Sequence, residues 1–423
     1  QHLNQLKRSF NMHIVFISII GVMYIFELII GIINVNFSKK GVPDNVKHIY
    51  DEQEYKRWLS YHQENLRLSI VRKTISTEVI ISLLVFNIFG NLETWAKGIS
   101  EFSITQTLLF LFIYLALETV ISIPLDFYHT FYIEEKYGFN KTTFKTFWVD
   151  QIKSFLLSAV LFGALISGLQ SLYQAFIDQI WFFILFSWLF LSIVLVLIFI
   201  LNTKVFVKAF NKLTPLEDGE LKNKIDALAE RLGFEVQKIS VMDASKRSSK
   251  LNAFFSGLGK TRDVVLYDTL LEKLSDEQVL AVLAHELGHA THKDTTKMLL
   301  QNIVTFGLFA ALIGFILQYE ALYVQFGLSG IFFGFALVLF MIIMEPISIL
   351  LGLISNKWSR KIEFRADCFA KEHASKEDMI HALEILAKEN FANLNPHPLY
   401  VCIYYNHPTI SQRIDALNQE EDL

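Results

Sequence analysis

Apolar and polar residues are distributed along this 423-residue chain in long blocks, not in the short periods of a water-soluble fold. Seven blocks are long and apolar enough, or nearly so, to cross a bilayer as a helix, which takes about 20 residues. They cover residues 12–33, 75–90, 104–123, 155–173, 180–201, 298–317 and 328–354. The second is the weakest, since it is short and contains Asn87; a start near Leu68 would lengthen it. This pattern predicts a mainly α-helical, multi-pass membrane protein with four parts. Residues 1–201 hold five spans and their loops, 202–297 are hydrophilic, 298–356 hold two more spans, and 357–423 are hydrophilic again. There is no internal repeat and no low-complexity tract.

The basic residues orient these parts, because cytoplasmic loops are enriched in Lys and Arg. The loop 34–74 carries Lys39, Lys40, Lys47, Lys56, Arg57, Arg67, Arg72 and Lys73. Lys136, Lys141, Lys145 and Lys153 follow the third span, Lys204, Lys208 and Lys212 the fifth, and Lys357, Arg360 and Lys361 the seventh. The loops near 91–103, 174–179 and 318–327 hold only Lys97 between them. The predicted topology therefore places the N-terminus outside and both hydrophilic parts in the cytosol, against the opposing vote of Lys7 and Arg8.

Composition agrees. The chain is 52% hydrophobic with 38 Phe and only 19% charged residues, too apolar for an ordinary soluble domain. A net charge of -4 makes no electrostatic case for a nucleic-acid partner. Two cysteines, Cys368 and Cys402, are too few for a disulfide framework, and buried packing is their expected role. The first apolar block is too long for a signal-peptide core and lacks a small-residue cleavage site, so no cleaved signal is expected there. Three acids, Glu27, Glu118 and Glu345, fall inside apolar blocks. At membrane depth a charge must face protein or water, so they either pair within a helix bundle or line a wet cavity. Pro346 predicts a kink in the last span.

Segment 202–297 reads as a small α/β unit. Residues 221–232 form an amphipathic helical pattern closed by Gly233, while 238–242 and 264–267 read as short strands. Residues 357–374 and 376–390 read as helices. The tail from Asn395, with Pro396, Pro398 and Pro408, reads as loop.

The chemistry lies in His285-Glu286-Leu287-Gly288-His289. The run before it is rich in helix formers, and Ser275 with Gln278 makes a capping box at its start. On a helix, His285 and His289 share a face and can grip one zinc ion. Glu286 then stands beside the metal, placed to take a proton from water. Gly288 costs such a helix about 1 kcal/mol relative to Ala, which close backbone approach at a metal site would explain. A catalytic zinc needs a third protein ligand. The best candidate is Glu363 in Ile362-Glu363-Phe364-Arg365-Ala366-Asp367, directly after the last span. Asp367, one turn on, can hydrogen-bond the far nitrogen of a zinc-bound histidine.

These motifs, with others in the same order along nearly the whole chain, resemble the type I CAAX prenyl endopeptidases, integral-membrane zinc proteases of the gluzincin type. The others are Ile133-Glu-Glu-Lys-Tyr-Gly-Phe-Asn-Lys-Thr142, Leu213-Thr-Pro-Leu216, Ser245-Lys-Arg-Ser-Ser249, Asn252-Ala-Phe-Phe255, Leu266-Tyr-Asp-Thr-Leu-Leu271 and His407-Pro408 with Arg413. Ala290 departs from the family, which has an aromatic residue there.

The resemblance implies seven transmembrane helices enclosing a water-filled chamber, capped by a cytosol-side α/β zinc protease domain. It puts one zinc on His285, His289 and Glu363, makes Glu286 the general base, and gives Asp367 the supporting hydrogen bond. It implies that Asn252 and Ala253 bind the substrate backbone as an added strand and that His407 stabilises the oxyanion. Arg413 supports the site or receives the substrate carboxylate. The implied substrate is a prenylated C-terminal CAAX peptide that loses its last three residues. The same chemistry would serve a quality-control protease acting on unprenylated, misfolded or translocon-jammed membrane-associated polypeptides. A helical transporter with a structural zinc is the alternative of another class, but such a site closes with four ligands and three good ones are visible. The expected location is the endoplasmic reticulum membrane in a eukaryote or the plasma membrane in a bacterium.

Overall fold

The computed structural model describes residues 2–256 and 261–419. The first part of the chain is helical: α1 (His2–Ser38), α2 (Glu52–Val85), α3 (Ile88–Ile99), α4 (Ser103–Tyr128), α5 (Phe144–Ala175) and α6 (Ile180–Leu201). After a hydrophilic stretch come α7 (Glu220–Arg231), α8 (Asp268–Lys273) and α9 (Asp276–Thr291). Then follow α10 (Asp294–Ile316), α11 (Glu320–Val324), α12 (Phe333–His373) and α13 (Lys376–Glu389), and two short helices, α14 (Pro398–Tyr404) and α15 (Ile410–Asn418).

Six helices are long and apolar enough to span a membrane alone, namely α1, α4, α5, α6, α10 and α12. The bent pair α2 and α3, which turn by 71°, makes a seventh when counted as one broken span. That is where the sequence pattern was weakest, and the reason is local. Asn87 takes a left-handed φ of 53° between the two helices. Gly90 is pressed against the chain before α12, where an added Cβ would lie 2.2 Å from the Gly327 carbonyl oxygen. Buried Glu93 accepts from Ser329 N at 2.8 Å and Lys97 Nζ at 2.6 Å, tying α3 to the same segment. The basic loop expected over 34–74 is mostly helix. An Asp51–Glu54 capping box starts α2 at Glu52, well before the apolar block.

No more than 22% of the residues in the most apolar stretch of any of the six single-helix spans are buried, and in α5 and α6 only 6% are. Such low burial is what helices that turn much of their surface to lipid show. Lys73 of α2 reaches inward to Glu27 of α1, at 3.1 Å, and to Glu345 of α12. With Glu118 of α4, Lys73 and Glu345 line a cavity of about 170 Å³. The intramembrane acids therefore follow both expectations: Glu27 and Glu345 pair with a lysine, and Glu118 and Glu345 face a cavity. The helix α12 runs unbroken through Pro346 for 41 residues, so the last span and the expected separate helix over 357–374 are one rod.

The hydrophilic segments carry one four-stranded sheet, β1 (Leu213–Pro215), β2 (Glu235–Met242), β3 (Ala253–Ser256) and β4 (Thr261–Tyr267), in the order β1-β2-β4-β3. The pairs β1/β2 and β3/β4 are antiparallel and β2/β4 is parallel. Thus β3 is an edge strand. Val264, Leu266, Leu283, Leu287, Ala370, Leu383 and Leu417 share one core, so residues on both sides of spans α10 and α12 fold as a unit. The N-terminal half contributes too: Val46, Tyr50 and Trp58 pack with Ala387, Leu394 and Ile414.

The tail after Asn395 is not loop. Pro398 occupies the first turn of α14, and Thr409 with Gln412 forms a capping box for α15. Both are helix-start signals that the proline count obscured. The cysteines form no disulfide; Cys402 is exposed, contrary to the expected burial, and Cys368 is half-buried.

Candidate metal centre and active site

Helix α9 starts at the Ser275–Gln278 capping box, with Ser275 N donating to Gln278 Oε1 at 3.0 Å and Gln278 N to Ser275 Oγ at 3.3 Å. Its apolar residues Val279, Ala281, Leu283, Ala284 and Leu287 are all buried, which holds the helix rigidly inside the domain. His285 and His289 project from one face. Gly288 lets α12 come close: an added Cβ would meet Phe369 Cβ at 3.1 Å and Ala366 Cα at 3.2 Å. The close approach expected at Gly288 is therefore to the helix that carries Glu363, and it brings that carboxylate within reach of both histidines.

The three donor groups converge. His285 Nε2 lies 3.2 Å from His289 Nε2 and 3.4 Å from Glu363 Oε2, and His289 Nε2 lies 3.3 Å from Glu363 Oε1. A tetrahedral zinc with bonds of about 2.0–2.1 Å has ligand–ligand edges of about 3.3–3.4 Å. Glu363 Oε2 is buried and has no hydrogen-bond partner. Each imidazole already gives its Nδ1 to a carboxylate: His285 to Asp367 Oδ1 at 2.8 Å, His289 to Asp294 Oδ2 at 3.3 Å. Two Nε2 lone pairs and an orphaned carboxylate oxygen then face one point, which only a cation satisfies. The charges agree. With both imidazoles neutral, as ligation requires, Glu286, Glu363, Asp367 and Asp294 face Arg413, Arg365 and Lys297, an excess of one negative charge. Among the described residues this is the group that could hold a metal ion.

The surrounding side chains fall into two shells. Arg413 is buried and spends its guanidinium on Asp367, with Nη2 to Oδ1 at 2.5 Å and Nε to Oδ2 at 2.8 Å. His407 stands beside Glu363: its side chain is 55% exposed, with Nε2 3.3 Å from Glu363 Oε1 and Nδ1 2.8 Å from Asn406 Oδ1. Glu286 lies half-buried on α9 between the two histidines. Burial raises its carboxyl above the usual range, against the pull of His285 and His289. Burial disfavours the imidazolium of His289, yet hydrogen bonds to Asp294 and Glu363 prevail and push its pKa up to about 9. Asn252 and Ala253 enter through β3, which packs on α9. Ala253 is buried at the start of the edge strand, and exposed Asn252 accepts Ala253 N on its own Oδ1 at 2.9 Å.

Asp294 and Arg365 are the functional positions that sequence reasoning missed. Asp294 is 2% exposed, bonds His289 with one oxygen and takes Arg365 on the other. Its only signal was an acid at the start of a span, five residues after a ligand histidine.

The comparisons with known proteins bear on both halves of the chain. Residues 32–212 match the family model described as CAAX prenyl protease N-terminal, five membrane helices, and residues 215–421 match peptidase family M48. The chain is 30% identical over 416 residues to CAAX prenyl protease 1 of Saccharomyces cerevisiae, covering 90% of this chain and 89% of the relative. It is 31% identical to the human CAAX prenyl protease 1 homolog, over 89% and 88% of the two chains. The crystal structure of S. mikatae Ste24p superposes with a TM-score of 0.90 at 28% identity, covering 96% of this chain and 99% of that one. With both modules matched in order and a zinc-type triad where the peptidase module requires one, the chain belongs to peptidase family M48, as an integral-membrane zinc metalloendopeptidase.

Proposed function

We propose that this protein removes the C-terminal tripeptide from prenylated CAAX proteins. The observation that carries the reading is the convergence of His285, His289 and Glu363, delivered by α9 and the last span, in a chain of which CAAX prenyl proteases match 90% and 89%. Zinc held by those three residues supplies Lewis-acid chemistry for an attacking water and a scissile carbonyl. The protein's own residues do the rest. Extended substrate adds to the free edge of β3 beside Asn252 and Ala253, whose backbone orients it. Glu286 takes the proton of the attacking water and passes it to the leaving amine. Its raised carboxyl suits that task. His407 donates a hydrogen bond to the oxyanion that develops. Asp367 and Asp294 hold the histidines in the tautomer that leaves Nε2 free, and Arg413 and Arg365 hold the two acids.

The Lys and Arg bias of the loops supports a cytosolic zinc domain, the side on which C-terminal CAAX sequences of cytosolic proteins lie.

The test is mass spectrometry of products from two matched peptides, one farnesylated at the CAAX cysteine and one not, with a Glu286→Gln control. Release of the last three residues from the lipidated peptide alone is expected. Cleavage of both, or at scattered positions, would instead favour a quality-control protease.

A further inference from the structure

Between α4 and α5 lies a cavity of about 620 Å³, a volume typical of small-molecule sites. Its deep part is lined by Leu108, Phe112, Leu115, Phe155, Phe162 and Ile166. Polarity rises towards the zinc-domain end, where Ser122 and Asp126 of α4 face Gln151 and Ser154 of α5. A second cavity of about 280 Å³ shares Asp126, Gln151 and Ser154 and continues to Thr142 and Asp150. The two make one track, apolar inside the membrane and polar at its mouth.

The mouth is tied to the strand proposed to receive the peptide. Asp150 grips Arg247 through both oxygens, at 2.8 and 3.0 Å. The Arg247 carbonyl accepts Lys141 N at 3.1 Å and Thr142 Oγ1 at 3.2 Å, and Asn140 bridges Ser248. A few residues later the same segment becomes β3, the free edge of the sheet. The polar end of the track is thus joined, through Arg247 and Ser248, to the segment that leads into that edge.

The charge pattern selects the lipid. No Lys or Arg lines either cavity. Asp126 is neutralised by Arg72 at 2.6 Å and Asp150 by Arg247. His129 is the one basic side chain lining the mouth, and its Nε2 is turned to Asn65 and Glu134, so no free Lys or Arg awaits a phosphate headgroup there. A thioether-linked isoprenyl chain carries no charge and suits a neutral mouth.

We propose that the α4/α5 track binds the isoprenyl chain of the substrate. This rests on the prenyl-peptide reading above. Gly163 offers a clean test, since it lines the cavity and a Cβ there meets nothing within 4 Å. The experiment uses the full zinc-loaded chain in proteoliposomes and compares kcat/KM for a farnesylated peptide and its unlipidated twin. In Gly163→Trp and Leu115→Trp the preference for the lipidated peptide should fall by about tenfold or more, through KM, with zinc content retained. A farnesyl analogue carrying a diazirine should label peptides of α4 or α5. An unchanged preference in both zinc-loaded variants, or labelling confined to other helices, would overturn the proposal. If the wild-type chain shows no preference for the lipidated twin, the prenyl-substrate reading itself fails, and the isoprenyl occupant with it.

Discussion

Asp294, the first residue of the sixth span, accepts the Nδ1 proton of the ligand His289 at 3.3 Å while its other oxygen holds Arg365 of the seventh span. Lys293 just before it adopts a left-handed φ of 56°, the sharp turn that lets α9 and α10 meet there. One metal ligand is thus braced by the membrane helices themselves. Asp294→Asn should weaken zinc binding by about 10- to 100-fold, the usual effect of losing such a partner. Competition against a chromogenic chelator reads this directly; unaltered affinity would make Asp294 a bystander.

Glu286→Gln should behave in the opposite way. It removes a proton acceptor and no ligand, so zinc content should match wild type while kcat falls by about 10²- to 10⁴-fold. Metal analysis beside single-turnover kinetics separates the two effects. Turnover at the wild-type rate would exclude Glu286 as the base.

Arg413→Ala should be the most destabilising of the site substitutions. It leaves Asp367, 1% exposed, as a buried carboxylate without its cation, and losing one partner of a buried pair costs about 3–5 kcal/mol. Arg413→Lys keeps a charge but cannot reach both oxygens of Asp367, so it should recover only part of the loss. Thermal unfolding in detergent with zinc present ranks the three proteins.

Zinc affinity should rise with pH. In the metal-free chain His289 keeps its extra proton up to about pH 9, and zinc must displace it. Each unit of pH below that value should therefore weaken binding by about tenfold for this one proton. His285, whose pKa is also raised (burial opposes, but Asp367 and Glu363 prevail), adds to the slope. A chelator competition series from about pH 6.5 to about pH 9.5 tests this, and a flat profile would mean the histidines are neutral before metal binds.

The sequence by itself determined the spans, because a helix crossing hydrocarbon must be apolar along its whole length. The observed spans accordingly match the apolar blocks closely, except at α2 and α3, where Asn87 breaks the run. It also determined His285, Glu286 and His289, because four residues of helix bring two side chains to one face. Glu363 and Asp367 were legible for the same local reason, once a third ligand was required.

Tertiary structure alone decided the rest. The closeness of Asp294 to His289 depends on the turn at Lys293, and its hold on Arg365 depends on how α10 packs beside α12. That Arg413 spends its guanidinium on Asp367 depends on α15 docking behind α12. That β3 is an edge strand depends on pairing across the sheet, which four residues of sequence do not encode. These are contacts between segments distant along the chain. Their energies come from burial and from charges matched in space, and neither leaves a periodic mark in the order of residues.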